Sequence, residues 1–165
     1  MIVVDSAPLI YLSKTGRLEL LRRLYGTIIV PAGVWEEVVT QAQGRPGSSE
    51  VEKGQRQGWI KVEKASVPRT LKVEGAEGVD GEVISLGERR NLPILTNDSL
   101  LVAIARTRGV KVKWLTQAVI EAVDGKTLTT REGRVLLRDL VRSGLRIRSE
   151  VLAEVIHMME RPSDR

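Results

Sequence analysis

The chain has 165 residues, 42% of them hydrophobic and 28% charged, an ordinary globular composition that excludes wholesale disorder and suits one domain burying roughly 70% of its unfolded surface. It has no cysteine and one histidine, His157, which excludes disulfides, thiolate metal sites and a cysteine nucleophile and argues against a His-built zinc centre or a Ser-His-Asp triad. Against 21 acidic residues stand 26 basic ones, a net charge of +5 that favours a polyanionic partner, while 3% aromatic content with no Phe argues against a base-stacking platform.

Ile2, Val3 and Val4 form an apolar run ended by Asp5. With no basic segment before it, this predicts a buried strand rather than a signal peptide. No run of ~18 apolar residues occurs, so no membrane-spanning helix is expected, and the expected location is the cytoplasm. Ser6 is placed to cap the next helix, with Pro8 in its first turn. Leu9, Ile10 and Leu12, then Leu18, Leu20, Leu21 and Leu24, recur at helical spacing, broken at Gly16 and stopped at Gly26. Residues 27–30 are a β-branched run and predict a second buried strand. Pro31 opens a helix carrying Val34, Trp35, Val38 and Val39. Residues 41–49 read as a polar loop, 50–57 as a short polar helix, and 59–63 as an edge strand of alternating polarity. Residues 65–78 read as a loop.

Residues 79–90 predict a helix with Val83, Ile84 and Leu86 inward, and 93–96 a strand ended by Asn97 and Asp98. Leu100, Leu101, Ile104 and Ala105 mark a helix closed by Gly109, and 110–115 is another strand. Only helices follow: one over 117–123, one opened by a Thr129/Glu132 capping box and running to Ser143 and Gly144, and one from Ser149. Strands alternating with helices predict an α/β fold, a three-layer α/β/α sandwich with a mostly parallel central sheet. One domain spans 1–165, with 116–165 a helical C-terminal extension packed on it or used for dimerisation.

Acids recur at the ends of these strands. Asp5 follows the first and Asp98 follows 93–96. In an open parallel sheet, ligands sit outside the carboxyl ends of the strands, so two acids there meet if their strands are neighbours. Glu36, Glu37, Asp80 and Glu82 stand in first turns of helices and join the candidates. Clustered carboxylates repel one another unless a cation joins them. Oxygen-only ligands select hard cations, here Mg²⁺ or Mn²⁺, which support hydrolytic phosphoryl chemistry.

The chain resembles a PIN domain, the nuclease fold of many prokaryotic toxin ribonucleases, and in particular the DUF3368 branch of predicted nucleic-acid-binding PIN proteins. The similarity runs over nearly the whole chain. It rests on the opening Val4 to Ile10 with its S-x-P-L-I pattern, then Lys14, Gly16, Arg17, Leu18, Leu20 and Leu21. Val30, Pro31, Val34, Glu36, Glu37 and Val38 follow, then the step from Asp80 to Asp98, the Thr96-Asn97-Asp98 ending, and Arg142 to Ile147 with Ser149 and Glu150. The resemblance implies a metal-binding and catalytic quartet of Asp5, Glu37, Asp80 and Asp98, supported by Ser6, Thr96 and Asn97. It implies hydrolysis of an RNA phosphodiester, in which water attacks phosphorus in line and the cation stabilises the leaving 3′-oxygen. The implied partners are RNA, a small antitoxin protein and a second copy in a homodimer. Two positions depart from the branch: Ala7 stands where a Ser is usual, and Gly78 to Glu82 replaces its G-E-A-E-A. Asp80 and Glu82 lie ~200° apart on a helix; spacing favours Asp80, with Glu82 in reserve. Periodicity leaves Glu36 and Glu37 undecided, and only the motif favours Glu37.

Each residue also has an ordinary use. Asp5 and Asp98 would serve as helix caps, and the first-turn acids would complement the helix macrodipole. His157 reads as a surface or packing residue, and Trp35, Trp59 and Trp114 as core or interface residues rather than base-stacking groups. Arg89, Arg90 and the arginines of 131–148 fit an RNA path or a solvated helical face equally. Two rival functions remain: a PIN-fold module that binds RNA or protein without cutting, and a receiver domain or a phosphatase of the haloacid dehalogenase kind. Ala7 fills the second position of the D-x-D signature that such a phosphatase needs.

Overall fold

The computed structural model describes residues 1–161. In chain order the elements are β1 (Ile2–Val4), α1 (Ser6–Lys14), α2 (Glu19–Tyr25), β2 (Ile28–Pro31) and α3 (Ala32–Trp35), which runs into a π turn over Glu36–Thr40. Then come α4 (Ser48–Arg56), β3 (Ile60–Glu63), α5 (Arg69–Val73), α6 (Gly78–Arg90), β4 (Ile94–Leu95) and α7 (Ser99–Thr107). β5 (Val112–Lys113), α8 (Leu115–Asp124), α9 (Thr130–Arg142) and α10 (Ser149–Glu160) complete the described chain.

All pairings in the five-stranded sheet are parallel, in the order β3-β2-β1-β4-β5. Helices cover the sheet in a three-layer α/β sandwich. The expected fold class stands, and the sheet is wholly parallel among the described residues. β1 is central and buried on both faces, which is why it reads as an unbroken apolar run rather than an alternating one. α6 packs on β1, β2 and β4, and α3 packs on β2, β3 and α6. α8 packs on α2 and carries α9 and α10. Leu115, Ala118, Val119, Leu136, Leu140 and Val155 from these last three helices belong to the same hydrophobic cluster as the sheet. Each such Leu or Val side chain contributes about 1.5–3 kcal/mol when fully buried.

Local details differ from the expectation. Asp5, not Ser6, caps α1: its side chain accepts from the Ser6 N–H at 2.7 Å. A short helix, α5, lies within the expected loop, held by fully buried Leu71. β4 and β5 are only two residues long. The Leu115 N–H leaves the expected strand to donate to Asn97 Oδ1 at 3.1 Å, so Leu115 opens α8 instead. The capping box at Thr129 and Glu132 is present. His157 is exposed.

Candidate active site

The strand order reverses beside β1. The chain builds β1, β2 and β3 outward in one direction, then returns to the other side of β1 for β4 and β5. The crevice at such a switch point, outside the carboxyl ends of β1 and β4, is where open α/β sheets bind ligands. Asp5 and Asp98 stand there. The register pairs Val4 with Leu95, and the Asp5 N–H donates to the Leu95 carbonyl at 3.0 Å.

One hydroxyl serves both acids. Thr96, fully buried, donates from Oγ1 to Asp5 Oδ2 at 2.7 Å and accepts from the Asp98 N–H at 3.1 Å. Asp98 in turn caps α7, its Oδ1 accepting from the Leu101 N–H at 2.9 Å. The capping role and the placement at the crevice are therefore compatible uses of the same carboxylates. Asn97 ties β4 to α8 through its Oδ1, while its Nδ2 is buried without a partner in the wall of the crevice.

The crevice is a cavity of about 780 Å³ whose lining includes Asp5, Ser6, Glu37, Asp80, Asn97 and Asp98. The π turn and α6 thus add one acid each to those of β1 and β4. Ser6 Oγ donates to Glu37 Oε2 at 2.6 Å, a short charge-assisted bond across 31 positions of sequence. The segment is a π turn, closed by the Gln41 N–H donating to the Glu36 carbonyl, and Glu37 rather than Glu36 lines the cavity. Glu36 is exposed and lies outside the lining. Glu82 also lies outside: its Oε2 accepts from the Gly33 N–H at 2.8 Å and locks α6 to α3. The ~200° separation on the helix sends Asp80 to the cavity and Glu82 to the packing side.

Burial pushes the Asp5 carboxyl above its ordinary value of 3.8, and the charges of Asp98 and Glu37 add to that. The hydrogen bonds from Thr96 and Ser6 oppose the shift. Asp80 is raised for the same reasons, burial first, then the charges of Asp5, Asp98 and Glu37. The four acids therefore form one electrostatically coupled group. Its donors are oxygens only, which suits a hard divalent cation such as Mg²⁺ or Mn²⁺. Each Asp5 oxygen accepts a single hydrogen bond and keeps a lone pair. Among the described residues no three acid or imidazole groups stand close enough to hold a metal ion together. Mg²⁺ does not need three: it is commonly held by one or two carboxylates and keeps several waters.

Of the rest of the lining, Arg146 and Arg148 belong to the arginine series that the sequence offered as an RNA path, while Tyr11 and the cavity place of Trp114 escaped the sequence reading. Trp114, expected in the core or at an interface, lines the cavity, half-buried and outside the hydrophobic cluster. It follows β5, so the rule that singled out Asp5 and Asp98 at strand ends would have found it too. Tyr11 from α1 and the segment 144–148 before α10, with Arg146 and Arg148, also line the cavity. Arg89 and Arg90 are elsewhere, paired with Glu63 of β3 at 3.9 and 3.4 Å. Trp59 is buried and Trp35 packs against the core, as expected.

No helix among the described residues is long and apolar enough to cross a membrane. Among solved structures, a domain of a functionally unknown protein from Methanocaldococcus jannaschii DSM 2661 is similar to this chain. It is 23% identical, with 68% of this chain and 89% of that one covered and a TM-score of 0.43. No curated protein matches. The profile of the family DUF3368, described as a PIN domain, matches residues 1–161. With a match of that length the chain belongs to this family of PIN domains, a nuclease-type fold.

Proposed function

We propose that the chain is a Mg²⁺- or Mn²⁺-dependent endoribonuclease that hydrolyses RNA phosphodiester bonds, with Asp5, Glu37, Asp80 and Asp98 as its acidic centre. The observation that carries this reading is that carboxylates from four separate segments line one cavity, where burial first and the neighbouring charges second raise the carboxyls of Asp5 and Asp80. Uncompensated, that repulsion costs stability, and a divalent cation turns it into binding energy.

Asp5 and Asp98, fixed by Thr96, would hold the cation, and Asp80 and Glu37 would complete its shell through waters. When bound, the cation supplies a more acidic water and stabilises charge on the phosphoryl oxygens. The chain's own residues do the positioning. Thr96 sets the Asp5 carboxylate and the start of α7 in one network. Ser6 holds Glu37 in the cavity, and Asn97 fixes the wall between them and α8. The reading extends to a toxin of a toxin–antitoxin pair, cytoplasmic and homodimeric. A small DNA-binding protein encoded beside it would support that place.

Purified protein should degrade single-stranded RNA with Mn²⁺ present, and EDTA or Asp5→Ala should each stop it. Cleavage that survives both treatments would overturn the assignment of the site. One second reading has specific support. Ala7 in the lining and the lack of three chelating acids among the described residues favour a PIN-fold module that holds RNA without cutting. Titration calorimetry separates the two, because the module binds no Mn²⁺ while the nuclease binds it and loses it in Asp5→Asn and Asp98→Asn.

A further inference from the structure

The cavity is bipolar. Its lining combines the four acids with the segment 144–148 and Val151 of α10. Arg146 and Arg148 sit in that segment, exposed, and neither makes an ion pair or side-chain hydrogen bond among the described residues. Other arginines of the same stretch are spent on the surface: Arg134 pairs with Glu160, and Arg138 pairs with Asp139 at 3.5 Å. The segment is held in place. Tyr11 Oη donates to the Gly144 carbonyl at 3.3 Å, Gly144 adopts φ +110°, and Leu145 is buried in the core. Trp114 belongs to the same lining, half-buried and outside the hydrophobic cluster.

We infer that this C-terminal segment is the substrate clamp of the site. Arg146 and Arg148 hold backbone phosphates of a single-stranded RNA while Trp114 stacks against a base. The inference rests on the nuclease reading for the role of the four acids, but RNA binding by the segment can be read without cleavage. The chemistry is complementary: acids repel a polyanion, so a strand approaches them only if cations lie on its flanks. Guanidinium groups suit phosphate oxygens, which accept two parallel N–H bonds. Aromatic faces take unstacked bases regardless of their identity. At about 780 Å³ the space falls within the range of small-ligand pockets, about 300–1,000 Å³. It admits a few nucleotides of one strand rather than the breadth of a duplex, whose bases are stacked and paired away from such a ring.

The test is fluorescence anisotropy of the full chain with a short labelled single-stranded RNA in EDTA, where no cleavage intervenes. Arg146→Ala/Arg148→Ala should weaken binding and reduce the slope of log affinity against log salt by about 0.7 per arginine. Arg146→Lys/Arg148→Lys should restore the slope, because charge alone sets it. Trp114→Ala should weaken binding at least about fivefold without changing the slope. Arg89→Ala/Arg90→Ala, outside the cavity, should leave both unchanged. Where the parent cleaves with Mn²⁺, the paired Arg146/Arg148 alanine variant should raise KM while kcat and Mn²⁺ affinity hold. A parent that binds RNA but does not cleave it, with the slope lost in the alanine pair, would sink the nuclease reading and leave the clamp standing. Unchanged affinity and slope in the alanine pair, or equal losses in the Arg89/Arg90 control, would overturn the clamp.

Discussion

Thr96 and Asp5 lie 91 positions apart, yet the Thr96 hydroxyl donates to Asp5 Oδ2 at 2.7 Å in a fully buried setting. The same oxygen accepts from the Asp98 N–H, so a single side chain aligns the carboxyl ends of β1 and β4. Thr96→Val keeps the shape and removes the hydroxyl. It leaves a buried carboxylate oxygen and a backbone N–H each short of a partner, a cost of about 1–3 kcal/mol. Urea unfolding should show that loss, and Mn²⁺ affinity should fall with it. Thr96→Ser should recover both.

Both raised carboxyls make the metal-free protein sensitive to pH. Asp5 and Asp80 bind a proton more tightly folded than unfolded, each shifted up from 3.8. Their contribution to stability is therefore fully present below that value and is lost as pH rises through the raised folded values. Asp80→Asn removes one member of the repulsive group, and among the described residues no hydrogen bond holds the Asp80 side chain. In EDTA at pH 7 the variant should melt above the parent, and at pH 3 the two should converge. Mn²⁺ at 100 times its Kd should then stabilise the parent by about 2.7 kcal/mol, on the order of 5–10 °C. The variant should gain less. A variant that melts below the parent in EDTA at pH 7 would mean that Asp80 is not repelled by its neighbours.

The legible part of this molecule is what local chemistry sets. Ile2–Val4 had to be a buried strand because three apolar residues precede a polar stop, and Thr129 with Glu132 had to open a helix because the capping box is a four-residue device. That Asp5 and Asp98 meet followed from one further assumption, that their strands are neighbours. What stayed hidden depends on pairing at a distance. Nothing in a 3.6-residue period chooses between adjacent Glu36 and Glu37, and only the fold puts Glu37 in the cavity lining. Trp114 lines the cavity, a place that its size alone does not signal and its position after a strand does. The helical C-terminal third supplies a wall of the cavity only because Tyr11 and Leu145 hold the segment after α9 against α1 and the core.

Glu82 separates a packing acid from a site acid two residues away. Its carboxylate accepts from the Gly33 N–H, and a side chain on Gly33 would strike the Glu82 oxygens at 3.0 Å. Glu82→Ala should cost about 1–3 kcal/mol by leaving that N–H unmet, while RNA cleavage and Mn²⁺ affinity per folded molecule persist. Asp80→Asn should show the converse, a stable fold with weakened metal binding. If Glu82→Ala abolishes Mn²⁺ binding in a folded protein, the third acid has been misassigned.

Ser6 carries the last contrast, because it serves geometry without contributing a charge. Its hydroxyl meets Glu37 Oε2 at 2.6 Å on the open side of the cavity, where neither group is buried. Little stability depends on an exposed bond of this kind, so Ser6→Ala should unfold within about 0.5 kcal/mol of the parent. Position is another matter. A glutamate on an exposed turn has several rotamers, and the hydroxyl selects the one that faces the acids of β1 and β4. Supporting hydrogen bonds of this sort typically account for 10- to 100-fold in metal affinity or activity. Ser6→Ala should therefore lose about that much cleavage at limiting Mn²⁺, and excess Mn²⁺ should recover part of it. Ser6→Thr, which keeps the hydroxyl, should lie near the parent. Equal activity of Ser6→Ala and the parent at every Mn²⁺ concentration would remove Glu37 from the centre and leave Asp5, Asp80 and Asp98 to account for it.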